Sequence, residues 1–85
     1  MQNLLKMSDD LDNIIDALEQ YTQNNKSDDN AFFRLGNAYR KIGNIPQAIR
    51  CYLTAVEINP SSPAKEAHRM LIDILEFRNT DLYNP

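Results

Sequence analysis

The sequence predicts an all-α chain of four short antiparallel helices, and three observations carry that prediction. Apolar residues recur at i, i+3, i+4 and i+7 in successive stretches, and nowhere do they alternate with period two for long enough to make a strand. Turn and stop signals separate those stretches. Only two glycines occur in 85 residues, and both stand where helix geometry has a use for them.

The first helix is signalled by Leu11, Ile14, Ile15, Leu18 and Tyr21, with Asp12, Asp16, Glu19 and Gln20 between them. Ser8 or Asp9 is expected to cap its start, where acidic residues suit the positive end of the helix dipole. Leu4, Leu5 and Met7 upstream predict only a turn or two of helix, too short to stand alone. Asn24 to Asp28 reads as a turn. A second helix should begin at Asp28 or Asp29 and end before Gly43, with Arg40 and Lys41 in its last turn. The third follows Asn44, accepts Pro46 in its first turn, and stops at Asn59-Pro60. A fourth spans roughly Ser62 to Phe77, carried by Ala67, Met70, Leu71 and Ile74. Residues 78–85 are left as a polar tail.

Composition narrows the function. At 9.8 kDa the chain is one small domain, and a domain of this size buries only about 60–65% of the surface its unfolded form exposes. Cys51 is the sole cysteine, so no internal disulfide can form, and with His68 it falls short of the four ligands of a structural zinc site. A net charge of −3 argues against nucleic acid or an anionic membrane as partner, since both are held by Lys and Arg. No apolar run approaches transmembrane length and residues 1–10 lack a secretory pattern, so a cytoplasmic chain is expected. The charge is uneven. Residues 1–29 hold two lysines against seven acidic residues, a balance of −5, which leaves +2 on residues 30–85.

No catalytic or cofactor-binding constellation is present in the sequence. There is no glycine-rich phosphate loop and no H-x-x-x-H or C-x-x-C metal pair. Cys51 and His68 lie on different predicted helices with no orienting motif, which favours a free thiol over a nucleophile. Asp9, Asp10 and Asp12 lack the glycine and closing glutamate of a calcium loop.

A repeat is visible within the third of the chain that is richest in aromatic and small residues. Phe32-x-x-Leu35-Gly36-x-x-Tyr39, followed by Ala48-x-x-x-Tyr52-x-x-Ala55 and then Pro60, resembles the tetratricopeptide repeat (TPR) helix-turn-helix signature. Large rings fill volume, while Gly36, Ala48 and Ala55 let two helix axes approach. A step of 34 residues back from Tyr39, Ala48, Tyr52 and Ala55 reaches Leu5, Ile14, Leu18 and Tyr21. A step of 35 forward from Phe32, Leu35, Gly36 and Tyr39 reaches Ala67, Met70, Leu71 and Ile74. The resemblance therefore implies a right-handed TPR-like stack: a degenerate first repeat over residues 1–28 with its first helix truncated, one complete repeat over 29–62, a capping helix over 63–77 and a tail over 78–85. Stacked repeats draw most of their stability from interfaces, and about three are usually needed. The tail or self-association is expected to cover what remains.

The resemblance also implies a function, since TPR proteins typically hold a peptide in the concave groove lined by the first helix of each repeat. With Phe32, Leu35, Gly36 and Tyr39 turned inward, the groove side of the second helix presents Asn30, Phe33, Asn37, Arg40 and Lys41, with Arg34 beside them. On the capping helix the equivalent stripe is Lys65, His68, Arg69 and Ile72. Arg forks, Lys ammonium groups and Asn amides suit an acidic peptide or a C-terminal carboxylate. The set partly resembles the carboxylate clamp of chaperone-binding TPR domains. Lys65 and Arg69 stand at its last Lys and Arg, whereas Arg34 replaces its middle Asn and the truncated first helix lacks its first Lys and Asn. The favoured expectation is a non-catalytic adaptor that binds a protein or peptide, without cofactor or metal. The alternative is a self-assembling module in which the tail, with Leu82 and Tyr83, or exposed helix faces such as Ile72 and Leu75 meet this chain or a second copy.

Overall fold

The structure is a computed structural model that describes the backbone of residues 2–83 and the side chains of residues 10–77. Four helices follow one another: α1 (Gln2–Asn24), α2 (Asp29–Lys41), α3 (Ile45–Ile58) and α4 (Ala64–Tyr83). Each packs on the next, most extensively α2 on α3, and no strand occurs among the described residues. This is the all-α stack of helical hairpins that the periodicity predicts.

The inner boundaries fall where local chemistry places them. Asp28 caps α2 by accepting the Ala31 amide at 3.1 Å, and Asn44 caps α3 by accepting the Gln47 amide. Gly43 ends the α2 turn at φ +85°, a conformation an L side chain resists. At the head of α4, the buried Ser62 hydroxyl accepts the Ala64 amide at 3.1 Å, so the helix starts two residues later than predicted.

The outer boundaries differ from expectation. No cap interrupts the chain at Ser8 or Asp9, because α1 is one continuous helix of 23 residues. Once residues 11–24 are helical, extending the helix upstream needs no new nucleus, and nothing in residues 2–10 is Gly or Pro. The same reasoning applies to the C-terminal end. Residues 78–83, expected as a separate tail able to fold back, continue α4 instead. Residues 84–85 and the side chains of Leu82 and Tyr83 lie outside the described residues.

Two clusters form the core. Ala48, Tyr52, Ala55, Ala64 and Leu71 bury one seam where α3 meets α4 and α2, while Ile15, Leu35, Ala38 and Cys51 bury the other between α1, α2 and α3. Tyr52 is the largest fully buried side chain. Polar ties then fix the helices relative to one another. The Tyr39 hydroxyl donates to Glu19 on α1 at 2.7 Å, and Asn59 at the end of α3 donates to Asp29 at the start of α2 at 3.2 Å. Burial, reinforced by the Glu19 contact, pushes the Tyr39 phenol up to about 12, so this tie is a protonated donor throughout the physiological range. Burial likewise pushes the Cys51 thiol up to about 11, which leaves it a protonated core group with little nucleophilic character.

Asp28 has a second partner. The Tyr21 hydroxyl donates to it at 2.8 Å, and this bond, followed by the Ala31 amide, holds the carboxyl below its usual range. A depressed carboxyl contributes stability above its unfolded-state pKa and loses it as pH falls through the folded one. Asp28→Asn keeps an acceptor in place but removes the charge. Thermal melts should therefore show wild type ahead of the variant near neutrality, with the gap closing on acidification below the ordinary carboxylate range. A gap of constant size at every pH would show that the charge contributes nothing to the cap.

Candidate functional site

The expected groove residues fall into three sets. Asn30 and Arg34 line a cavity of about 380 Å³ between α1 and α2, and Arg34, Asn37 and Lys41 line an adjoining one of about 430 Å³. The α1 walls of these cavities are largely apolar and include Leu11, Ile14, Ala17 and Leu18. Lys65, His68, Arg69 and Ile72 instead share one open cavity of about 590 Å³ with the Pro60–Ser62 turn and with the carboxylates of Glu66 and Asp73. Phe33, Asn37 and Arg40 form a third stripe at i, i+4 and i+7, gathered around Tyr52.

That third stripe corrects the expectation for Phe33. The ring is half-buried and lies 6.1 Å from the Tyr52 ring at a tilt of 39°, packed against the core rather than facing solvent without a partner. Asn37 is engaged too, since its amide oxygen accepts the Tyr52 hydroxyl at 2.5 Å. Burial raises the Tyr52 pKa, while the nearby Arg40 cation acts in the opposite sense. Phe33 and Asn37 thus serve the fold at one edge and present only their remaining surface outward.

On α4, Arg69 is already bound within its own helix. Its guanidinium bonds Glu66 through two nitrogens and Asp73 at 2.9 Å. Arg69 holds the Glu66 carboxyl below its usual range, and Glu66 in turn raises the guanidinium. All three side chains are well exposed, so these i, i+3 and i, i+4 pairs are weak and an incoming carboxylate can exchange for them. Lys65 has no ion-pair partner among the described residues.

The α1 walls were missed by sequence reasoning, which used Leu11, Ile14, Leu18 and Tyr21 only as the apolar stripe that signals the first helix. Ile14 and Tyr21 are in fact 48% and 45% exposed. A signal was available. Ile14, Leu18 and Tyr21 stand one repeat length before Ala48, Tyr52 and Ala55, and the helix that would cover them in a full repeat is missing from the pattern.

This geometry defines the class of protein: a short helical-hairpin solenoid with exposed helix faces at both ends of the stack. The tetratricopeptide repeat model matches residues 30–62. The solution NMR structure of Bacteroides fragilis protein BF1650 is similar over nearly the whole chain, at 38% identity, covering 99% of this chain and 91% of that one with a TM-score of 0.72. No curated protein matches the chain. The chain belongs to the tetratricopeptide repeat family, whose repeats generally mediate protein–protein interaction and are generally not catalytic. No helix among the described residues is long and apolar enough to cross a membrane.

Proposed function

We propose that this chain is a non-catalytic adaptor that binds an acidic peptide segment or C-terminal carboxylate along the exposed faces of α4 and α2. The observation that carries the reading is the cavity on α4, where Lys65, His68, Arg69 and Ile72 converge and where Glu66 and Asp73 hold Arg69 only by exposed, exchangeable pairs. An unpaired ammonium, an exchangeable guanidinium and one apolar contact are together suited to a carboxylate with a neighbouring apolar side chain. The partner is a protein, not nucleic acid or membrane, in keeping with a net charge of −3, and the buried free thiol suits a reducing cytoplasm.

The test is titration of an acidic peptide with a free C-terminus against wild type and the Lys65→Glu, Arg69→Glu double variant. The variant should bind at least tenfold more weakly, about 1.4 kcal/mol, with unchanged helical circular dichroism. Amidating the peptide's C-terminus separates carboxylate recognition from general attraction to acid. Undiminished binding by the double variant would remove the α4 cavity from the function.

A second reading, self-assembly, is favoured by a different observation. Ile14, Tyr21, Met70, Ile74 and Phe77 stand at 45–69% exposure, on α1 at one end of the stack and α4 at the other. Apolar surface of that extent at both ends of a helical stack marks contact with other chains.

A further inference from the structure

The exposed residues at the two ends are not unrelated patches. In the complete pair α2–α3, Ala48, Tyr52 and Ala55 are 0% exposed and Leu35 is 2% exposed. One repeat length earlier, the positions of Ala48 and Ala55 are held by Ile14 and Tyr21, both nearly half exposed. One repeat length later, the positions of Leu35 and Tyr39 are held by Met70 and Ile74, at 49% and 50%. Residues that a helix pair buries inside the chain are therefore uncovered at both ends. In the order of the stack α1 stands in the second-type place and packs on α2, while α4 stands in the first-type place and packs on α3.

We propose that the chain associates head to tail, with α4 of one copy pairing against α1 of the next to make a complete helix pair in trans. The inference rests on the self-assembly reading and names its partner and register. The helix order within a copy is second, first, second, first. Joining α4 to the α1 of another copy continues that alternation without a break, which joining two α1 or two α4 helices does not do. The occupant follows from the faces themselves, because they are the two halves of the interface that the chain already builds once between α2 and α3.

Charge selects the same pairing. Two α1 helices brought together would set a balance of −4 against −4, from Lys6 against Asp9, Asp10, Asp12, Asp16 and Glu19 in each, at separations inside the Debye length of about 8 Å. The α4 sequence is nearly neutral, with Lys65, Arg69 and Arg78 against Glu66, Asp73, Glu76 and Asp81. An α1–α4 contact therefore avoids the largest repulsion available.

The trans pair is looser than the internal one. Within the chain, Gly36 lies against Ala48 and Tyr52, and small residues bring the axes together. Across copies, Ile14 and Tyr21 replace Ala48 and Ala55, so the helices stand further apart and bury less of one another. Weak, concentration-dependent association is expected. Because the interface is heterologous, it leaves a free end on every assembly and grows stepwise beyond a dimer.

Ile14→Glu and Ile74→Glu test this directly, since each alters a half-exposed position and should leave the monomer fold intact by circular dichroism. Sedimentation equilibrium from low micromolar to near millimolar should show wild-type mass rising with concentration past that of a dimer. Each single variant should stay near the 9.8 kDa of one chain. An equimolar mixture of the two should form a complex of two chains and nothing larger, because the mixture offers one intact α4 face and one intact α1 face. Wild type remaining a single chain at every concentration would overturn both this proposal and the self-assembly reading. Wild type that associates while the mixture does not, or single variants that still associate, would overturn the head-to-tail pairing and leave a different self-association in its place.

Discussion

Tyr52→Ala should abolish the native stack or bring it to the edge of unfolding. At roughly 0.05–0.15 kcal/mol per residue, a chain of 85 residues has about 4–13 kcal/mol of stability to lose. Tyr52 has 0% of its surface exposed and belongs to the core cluster that α3 forms with α2 and α4. Truncating a buried aromatic side chain to Ala typically costs about 3–5 kcal/mol, through lost transfer free energy and the cavity left behind. Two further contacts go with it: the hydroxyl bond to Asn37 at 2.5 Å and the ring contact with Phe33 at 6.1 Å. A loss of 3 kcal/mol alone lowers the melting midpoint by roughly 12 °C or more in a domain of this size. Leu53→Ala, on the same helix at 46% exposure, is the control and should change stability by about 0.5 kcal/mol or less. Comparable midpoints for the two variants would mean that Tyr52 is not the centre of the core.

The inner half of this fold was legible in the sequence because its signals are local. Asp28, Gly43, Asn44 and the Asn59-Pro60 pair each act on their own backbone, through a cap, a positive φ or a missing amide, and each boundary fell within two residues of its signal. The ends were not legible, since a helix in progress extends until something stops it, and neither residues 2–10 nor residues 78–83 contain a glycine or proline. Candidate site residues were legible as a face but not as a set of contacts. Spacing put the α2 residues on one stripe, yet whether Phe33 points to water depends on how far the Tyr52 ring reaches from α3, a distance that spacing along α2 does not contain. Similarly, Arg69 was read as a free fork although Glu66 and Asp73 stand at i−3 and i+4, a spacing that announces its pairing. Cys51 was assigned no role, and its neighbours Ile15, Leu35 and Ala38 show it to be a small core residue.

Gly36→Ala should destabilise the chain although alanine is the better helix former, and its sign should reverse when Tyr52 is made smaller. A Cβ at position 36 would stand 2.6 and 2.7 Å from two carbons of the Tyr52 ring and 3.3 Å from the Ala48 carbonyl oxygen. The ring is enclosed on every side and anchored at its hydroxyl, so it can retreat only by giving up the Asn37 bond or the packing of Phe33. Overpacking of this kind costs about 1–3 kcal/mol, against a gain of about 1 kcal/mol from replacing glycine inside a helix. The balance is a loss. Tyr52→Leu removes the ring carbons that the new methyl would meet, and in that background the helix term should prevail, making Gly36→Ala neutral or stabilising by up to about 1 kcal/mol. A double-mutant cycle in urea measures both signs on one scale. Gly36→Ala equally destabilising with and without the ring would place the constraint in the α2 and α3 backbones, at the Ala48 carbonyl, and the close approach of the two helices would then be limited by main chain rather than by Tyr52.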